Sequence, residues 1–361
     1  MIVQLKKGAT QEDIKRTVER LIQLADEAGI EVHYHTVQGE ELPVVAVKAA
    51  GADIAKIQEE RLRQLDCVED IKRIAEPYKL ASRSYLDRRI VKAGGMEVGG
   101  NRLCIIAGPC AVESEGQIMK AARDVKAAGA DMLRGGAYKP RTSPYSFQGL
   151  QEEGLRFLRQ AGDASGLPIV TEITDPRNID KYQKHRVDVY QVGARNCQNY
   201  DLLKALTELK GTAAAVLLKR GMATTLEELI NAAEYLLAGN VHNVMICLRG
   251  IKGIDLKYTR NSIDTGDISV LVQNCNIPII YDPSHACGKR SLVLETSLGA
   301  VGHGANGLMI EAHPDPENAL SDGHQSLYSA KDPENPMGLF RVIEDVRKYY
   351  DFRLKITGTN G

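Results

Sequence analysis

A chain of 361 residues has room for one large α/β unit and a small second one beside it. Its 46 Lys+Arg against 47 Asp+Glu leave no net basic field, which argues against a nucleic-acid partner. No apolar run is long enough to span a bilayer, and the opening Met1-Ile2-Val3-Gln4-Leu5 lacks the basic-then-apolar layout of a secretory leader. Seven scattered cysteines, an odd number, fit thiols in a reducing compartment, so a cytoplasmic protein is expected.

Residues 1–74 read as a separate unit. Met1–Leu5 is an apolar strand, and Thr10–Ala28 is an amphipathic helix with Thr10 as N-cap and Gly29 as stop. Glu31–Val37 and Pro43–Ala49 are strands around a turn at Gly39-Glu40-Glu41, Asp53–Leu65 is helical, and Cys67–Ile74 closes as a strand. The order βαββαβ is the ferredoxin-like plan. Residues 75–102 are a connector in which Arg89–Val91 and Met96–Val98 form a hairpin. Its four-residue loop is Lys92-Ala93-Gly94-Gly95, and the hairpin is placed as a cap on the bottom of the unit that follows.

From residue 103 onward, short apolar strands alternate with helical stretches. They are Leu103–Ala107, Asp131–Leu133, Pro168–Val170, Asp188–Val192, Ala213–Leu218, Asn243–Leu248, Ile277–Tyr281 and Gly307–Ile310. Alternation of this kind implies parallel pairing, and eight such strands imply a closed (β/α)8 barrel over 103–361. A last helix is expected around Leu339–Tyr350, with a mobile tail over Lys355–Gly361.

The active site of such a barrel lies where its strands end. Nearly every strand here ends in a charged or metal-binding residue. Cys110, His285 and Glu311 follow the first, seventh and eighth strands, and Asp322 lies in the next loop. A thiolate, an imidazole and two carboxylates suit Mn²⁺, Fe²⁺, Co²⁺ or Zn²⁺ better than Mg²⁺ or Ca²⁺. The task expected of such an ion is Lewis-acid polarisation of a carbonyl oxygen. Taken singly, Cys110 reads as a small buried filler and His285 as a satisfied core histidine; the four sharing one rim is what points to a metal.

Arg134, Lys139, Arg141, Arg195, Lys219 and Arg249 converge on the same rim. Cations gathered at one mouth repel one another unless an anion fills the space, and Arg grips carboxylate or phosphate bidentately. Between two stiffening prolines, the loop Lys139-Pro140-Arg141-Thr142-Ser143-Pro144 holds a cation and two hydroxyls, a cradle for a phosphate. Glu172 also ends a strand in the pocket, where it is expected to orient water or a cation. Cys287 lies two residues past His285, and whether it points away or can pair oxidatively with Cys110 is open.

The run from Leu133 to Gly149, which reads LRGGAYKPRTSPYSFQG, resembles the signature of type I 3-deoxy-D-arabino-heptulosonate 7-phosphate (DAHP) synthases. Gly108-Pro109-Cys110, Gly193-Ala194-Arg195-Asn196, Leu218-Lys219-Arg220-Gly221, Leu248-Arg249-Gly250 and Asp282-Pro283-Ser284-His285 match in the same order. The resemblance covers essentially the whole chain, since residues 1–74 are similar to the ferredoxin-like regulatory domain of some members. It implies condensation of phosphoenolpyruvate with erythrose 4-phosphate. Arg134, Lys139, Arg195, Lys219 and Arg249 would hold the former; Lys139, Pro140, Arg141, Thr142 and Ser143 would hold the latter. Cys110, His285, Glu311 and Asp322 would bind one divalent metal ion. Lys139 is the candidate for delivering a proton to the aldehyde oxygen.

The resemblance also implies a homotetramer. The small domain would be a feedback module that binds Tyr or Phe and closes over the barrel mouth; the alternative is a domain that serves oligomerisation only. Competing readings are 3-deoxy-D-manno-octulosonate 8-phosphate synthase, a non-catalytic phosphosugar-binding barrel and a plain isomerase barrel. The first carries an Ala-Asn-Arg-type loop where this chain has Pro140-Arg141-Thr142.

Overall fold

The structure, a computed structural model, describes residues 1–38, 42–49, 54–254, 257–332 and 334–358. The expected turn at Gly39-Glu40-Glu41, the start of the second helix at Asp53 and the last three residues of the tail lie outside them.

In the N-terminal unit, β1 (Ile2–Leu5), β2 (Val32–Gln38), β3 (Pro43–Ala49) and β4 (Val68–Lys72) form one antiparallel sheet in the order β2-β3-β1-β4. Helix α1 (Gln11–Glu27) starts where expected. Thr10 Oγ1 accepts the Asp13 amide, and the Asp13 carboxylate accepts the Thr10 amide, a reciprocal capping box. The second helix is not the continuous Asp53–Leu65 of the sequence reading. A 3₁₀ turn at Ile54–Lys56 precedes a short α2 (Glu59–Arg63), with Ile57 and Leu62 buried in the core under the sheet.

Strand alternation splits this sheet between two cores. Val3, Val45 and Val47 face Val18, Leu21 and Leu62 of the helices. Ile2, Val37 and Val44 face the other way, into a core shared with Tyr78 and Leu80 of the connector. β2 also touches the barrel helix Leu226–Ala238, so the small unit sits beside the barrel.

The connector hairpin, β5 (Val91–Ala93) and β6 (Met96–Val98), turns on two residues rather than four, because Ala93 pairs with Met96. Gly94 and Gly95 have φ of +55° and +82°, the left-handed pair that a two-residue hairpin needs. It does cap the barrel: Val91, Ala93 and Val98 are buried among the interior residues Ile106, Val170, Leu217 and Met245.

The barrel strands are β7 (Cys104–Gly108), β8 (Met132–Arg134), β9 (Ile169–Ile173), β10 (Val189–Val192), β11 (Ala215–Lys219), β12 (Val244–Leu248), β13 (Ile279–Tyr281) and β14 (Gly307–His313). All pair in parallel with their neighbours, and β14 joins both β7 and β13, which closes the barrel. Alternate residues point inward to a dry interior or outward to the helices, as Ile106 and Ile105 do. β14 runs past its expected end at Ile310, so Glu311 projects from within the strand. Arg134 and Lys219 likewise belong to their strands rather than following them. The last helix extends to Thr357, so the first three residues of the tail expected to be mobile are helical. No helix among the described residues is long and apolar enough to cross a membrane.

Candidate active site

A cavity of about 840 Å³ opens at the C-terminal ends of the barrel strands. Every predicted site residue except Glu311 lines it, and Glu311 lies just beneath, 1% exposed. Among the described residues, none of those lining it comes from the N-terminal unit.

Ligand atoms of Cys110, Glu311 and Asp322 lie within 4.8 Å of one another. His285 stands beside them, its Nε2 3.7 Å from Glu311 Oε1. Its other ring nitrogen, Nδ1, faces Asp282 Oδ2 at 2.8 Å, while Asp282 Oδ1 accepts the His285 backbone amide at 2.8 Å. A carboxylate behind the imidazole fixes the ring and leaves Nε2 toward the cluster, as metal-binding histidines need. Cys110 Sγ lies 3.2 Å from Asp322 Oδ2, 3.1 Å from Ser321 Oγ and 3.1 Å from Lys139 Nζ. This donor set, one sulfur, one imidazole and two carboxylates, fits a divalent transition metal.

The electrostatics follow from burial. Burial, reinforced by the charge of Glu311, pushes the Cys110 thiol up to about 11. Burial also drives His285 down, against the pull of Asp282. For Asp282, burial opposes ionisation, but His285 and Lys219 outweigh it and hold the carboxyl well below its usual range. Glu311 is lowered too, because His285 and Arg134 overcome its burial.

The cations do not all face one another, as the sequence reading required. Arg134 Nη1 donates to Glu311 Oε1 at 2.7 Å, and Lys219 Nζ donates to Asp282 Oδ2 at 2.5 Å, so buried carboxylates neutralise two of them. Lys139 Nζ also donates to the Cys110 carbonyl at 2.9 Å. Arg141 is held by the Phe147 carbonyl at 3.0 Å and Ser321 Oγ at 2.6 Å, which shapes the loop carrying Pro140, Thr142 and Ser143. Arg249 differs. It is 5% exposed, its Nε has no hydrogen-bond partner, and burial pushes its guanidinium down. Arg249 lines the cavity, and an anionic ligand there would offset the cost of its buried charge. Gly250, at φ +79°, makes the turn behind it, where a Cβ would meet Asn261 at 2.7 Å. Arg195 lies exposed at the rim. Arg220 turns away from the cavity to Asp264 at 2.9 Å and Asp267 at 2.6 Å.

Cys287 is fully buried, and its thiol donates to the carbonyls of Pro283 at 3.0 Å and Lys289 at 3.3 Å. The Cys110 thiol has a separate set of partners, so the two do not form a pair here. Asp282, Arg260, Ser321 and Gln325 all touch the cluster or its ligands, and the sequence reading assigned a role to none of them. Asp282 carried a signal, three residues before His285 at the N-cap of the helix Pro283–Cys287. The other three sit in loops without periodicity.

Fold and site together define a (β/α)8-barrel enzyme whose candidate metal cluster lies among Arg and Lys side chains at the strand ends. The sequence profile of the DAHP synthetase I family matches residues 86–336, and that of the DAHP synthase ferredoxin-like domain matches residues 1–76. A phospho-2-dehydro-3-deoxyheptonate aldolase of Thermotoga maritima is 40% identical over 328 residues, 91% of this chain and 93% of its own. A 2-dehydro-3-deoxyphosphooctonate aldolase of Nitrobacter hamburgensis is 29% identical over 253 residues, 65% of this chain and 86% of its own. The crystal structure of the Thermotoga maritima DAHP synthase superposes with a TM-score of 0.71 at 37% identity, covering 99% of this chain and 98% of that one. The chain belongs to the DAHP synthetase I family and is a transferase.

Proposed function

We propose that the protein condenses phosphoenolpyruvate with erythrose 4-phosphate to give DAHP and phosphate, the first step toward chorismate and the aromatic amino acids. The observation that carries this reading is the meeting, at one mouth, of the Cys110, His285, Glu311 and Asp322 donor set with the cations of an anion pocket. Arg134, Arg195, Lys219, Arg249 and Lys139 bind phosphoenolpyruvate, with the Arg249 guanidinium, whose Nε has no partner, taking one of its anionic groups. Lys139 to Ser143 bind erythrose 4-phosphate, with Arg141, Thr142 and Ser143 on its phosphate.

The single divalent ion, Mn, Fe, Co or Zn, supplies Lewis-acid polarisation of a carbonyl oxygen when bound. The enol carbon attacks the aldehyde carbon while Lys139 Nζ delivers a proton to the aldehyde oxygen. The cations hold both substrates in reacting geometry and stabilise charge. Water adds to the resulting cationic carbon and gives up a proton, which balances the one delivered to the aldehyde oxygen; Glu172 orients that water or a neighbouring cation. The hemiketal phosphate then loses phosphate by C–O cleavage.

The chain divides by function into a regulatory domain (1–74), a linker with its hairpin (75–102) and the catalytic barrel (103–361). The regulatory domain binds Tyr or Phe and closes over the mouth from its position beside the barrel, in a homotetramer in the cytoplasm. That closing requires the inhibitor to favour the covered state over the open one.

The test is phosphate release from phosphoenolpyruvate with erythrose 4-phosphate or arabinose 5-phosphate, before and after EDTA and after Mn²⁺ is added back. Turnover with the four-carbon sugar alone, lost with EDTA and restored by Mn²⁺, is expected. Turnover with arabinose 5-phosphate instead would make the protein an octulosonate phosphate synthase, and none with either would leave a binding barrel.

A further inference from the structure

Each carboxylate of the metal cluster has one oxygen held from behind by Gln325 or Arg260 and the other on the side of the cluster. Glu311 Oε2 accepts the Gln325 side-chain amide at 2.6 Å, while Oε1 accepts Arg134 Nη1 at 2.7 Å and faces His285 Nε2 at 3.7 Å. Asp322 Oδ1 accepts Arg260 Nη1 at 3.1 Å, while Oδ2 faces Cys110 Sγ. Arg260 Nη1 also donates to Gln325 Oε1 at 2.8 Å, so one guanidinium joins the two carboxylates through one amide. The amide can point only one way. The Arg donor needs its oxygen, and the carboxylate needs its NH₂. Gln325 is fully buried, with both ends of its side chain used.

The same segment reaches the imidazole ligand. Arg260 N donates to the Cys287 carbonyl at 3.0 Å, Asn261 N to the Ala286 carbonyl at 3.2 Å and Asn261 Nδ2 to the His285 carbonyl at 2.7 Å. Arg260 therefore sits on a rail fixed to the His285 helix. Asp322 has a left-handed backbone, φ +52°, uncommon for a residue other than glycine and kept only where its surroundings hold it. Stability alone does not account for Arg260. Its side chain is 40% exposed, and ion pairs that open to water contribute little to folding.

We propose that Arg260 and Gln325 are positioning residues that lock Glu311 and Asp322 to present a single oxygen each to the metal, and so set its affinity and coordination. This rests on the reading of the metal site above. Residues that orient metal ligands in this way are commonly worth about 10- to 100-fold in metal affinity.

The experiment uses full-length, metal-stripped protein titrated with Mn²⁺, with free and bound ion followed by EPR. Wild type, Arg260→Met, Arg260→Lys, Gln325→Leu and Cys110→Ser are compared, along with the urea midpoint of each metal-free form. Arg260→Met and Gln325→Leu are expected to weaken Mn²⁺ by about 10- to 100-fold and to change the bound-ion spectrum, with Arg260→Lys recovering part of both. The metal-free Arg260→Met protein keeps the wild-type midpoint, which separates positioning from a folding defect. The inference is overturned if Arg260→Met binds Mn²⁺ within twofold of wild type with an unchanged spectrum while Cys110→Ser loses binding. Wild type and Cys110→Ser binding Mn²⁺ equally would instead overturn the metal-site reading, and this inference with it.

Discussion

Arg134 and Glu311 meet between β8 and β14, Nη1 to Oε1 at 2.7 Å, with side chains only 6% and 1% exposed. Such a pair is costly to break, because the survivor is left charged and without its partner in a dry site. Arg134→Met is expected to destabilise the metal-free protein by about 3–5 kcal/mol and to abolish turnover. Urea unfolding checks the first effect. A loss under about 1 kcal/mol would mean that water reaches Glu311.

Asp282 receives both Lys219 and His285. In Asp282→Asn the Lys219 charge loses its counterion and the imidazole loses the acceptor that orients it. Metal affinity is expected to fall by about 10- to 100-fold, and turnover with it. Asp282 also bears on pH. Its folded carboxyl lies well below the ordinary 3.8, so the stability it contributes is full above that value and is lost as pH falls through the folded one. The acid limb of unfolding should therefore flatten in Asp282→Asn, as read from midpoints between about pH 5 and pH 2.

Burial holds the Cys110 thiol up at about 11, so at neutral pH it carries its proton until an ion arrives. Metal uptake should release about one proton per ion, and affinity should rise by up to about tenfold per pH unit below that value. Calorimetry in two buffers of different ionisation enthalpy measures the proton directly. Uptake without release would exclude Cys110 thiolate as a ligand.

Lys139 Nζ stands beside both Cys110 Sγ and the cavity. If it delivers the proton to the aldehyde oxygen, Lys139→Arg keeps the charge but lowers kcat by about 10²- to 10⁴-fold, with a smaller change in KM. Near-normal turnover in that variant would remove the role.

Deleting residues 1–74 should abolish inhibition by Tyr or Phe and leave turnover within a few-fold of wild type. The deletion uncovers Tyr78 and Leu80, which pack with Ile2, Val37 and Val44, so some loss of solubility is expected. Inhibition that persists after deletion would place the effector site on the barrel.

Strand alternation, Thr10 at the head of the first helix and reactive residues at successive strand ends were legible from the chain alone, because each is written in a few neighbouring residues. They were enough for the barrel, the ferredoxin-like unit and the cluster of Cys110, His285, Glu311 and Asp322. Local pattern misled where tertiary packing decides. The helix expected from Asp53 breaks into a 3₁₀ turn and a short α2, and the hairpin turns on Gly94-Gly95 alone. Charge neutralisation was beyond it as well. Arg134 finds Glu311 across 177 residues of chain because β14 closes the sheet onto β7, and Lys219 finds Asp282 across 63 because β11 and β13 flank β12. Arg260, Ser321 and Gln325 lie in loops whose residues carry no period, and their partners exist only once β14 has joined β7 and β13. Periodicity encodes which face of an element is buried; which polar groups then meet is fixed by the geometry of closure.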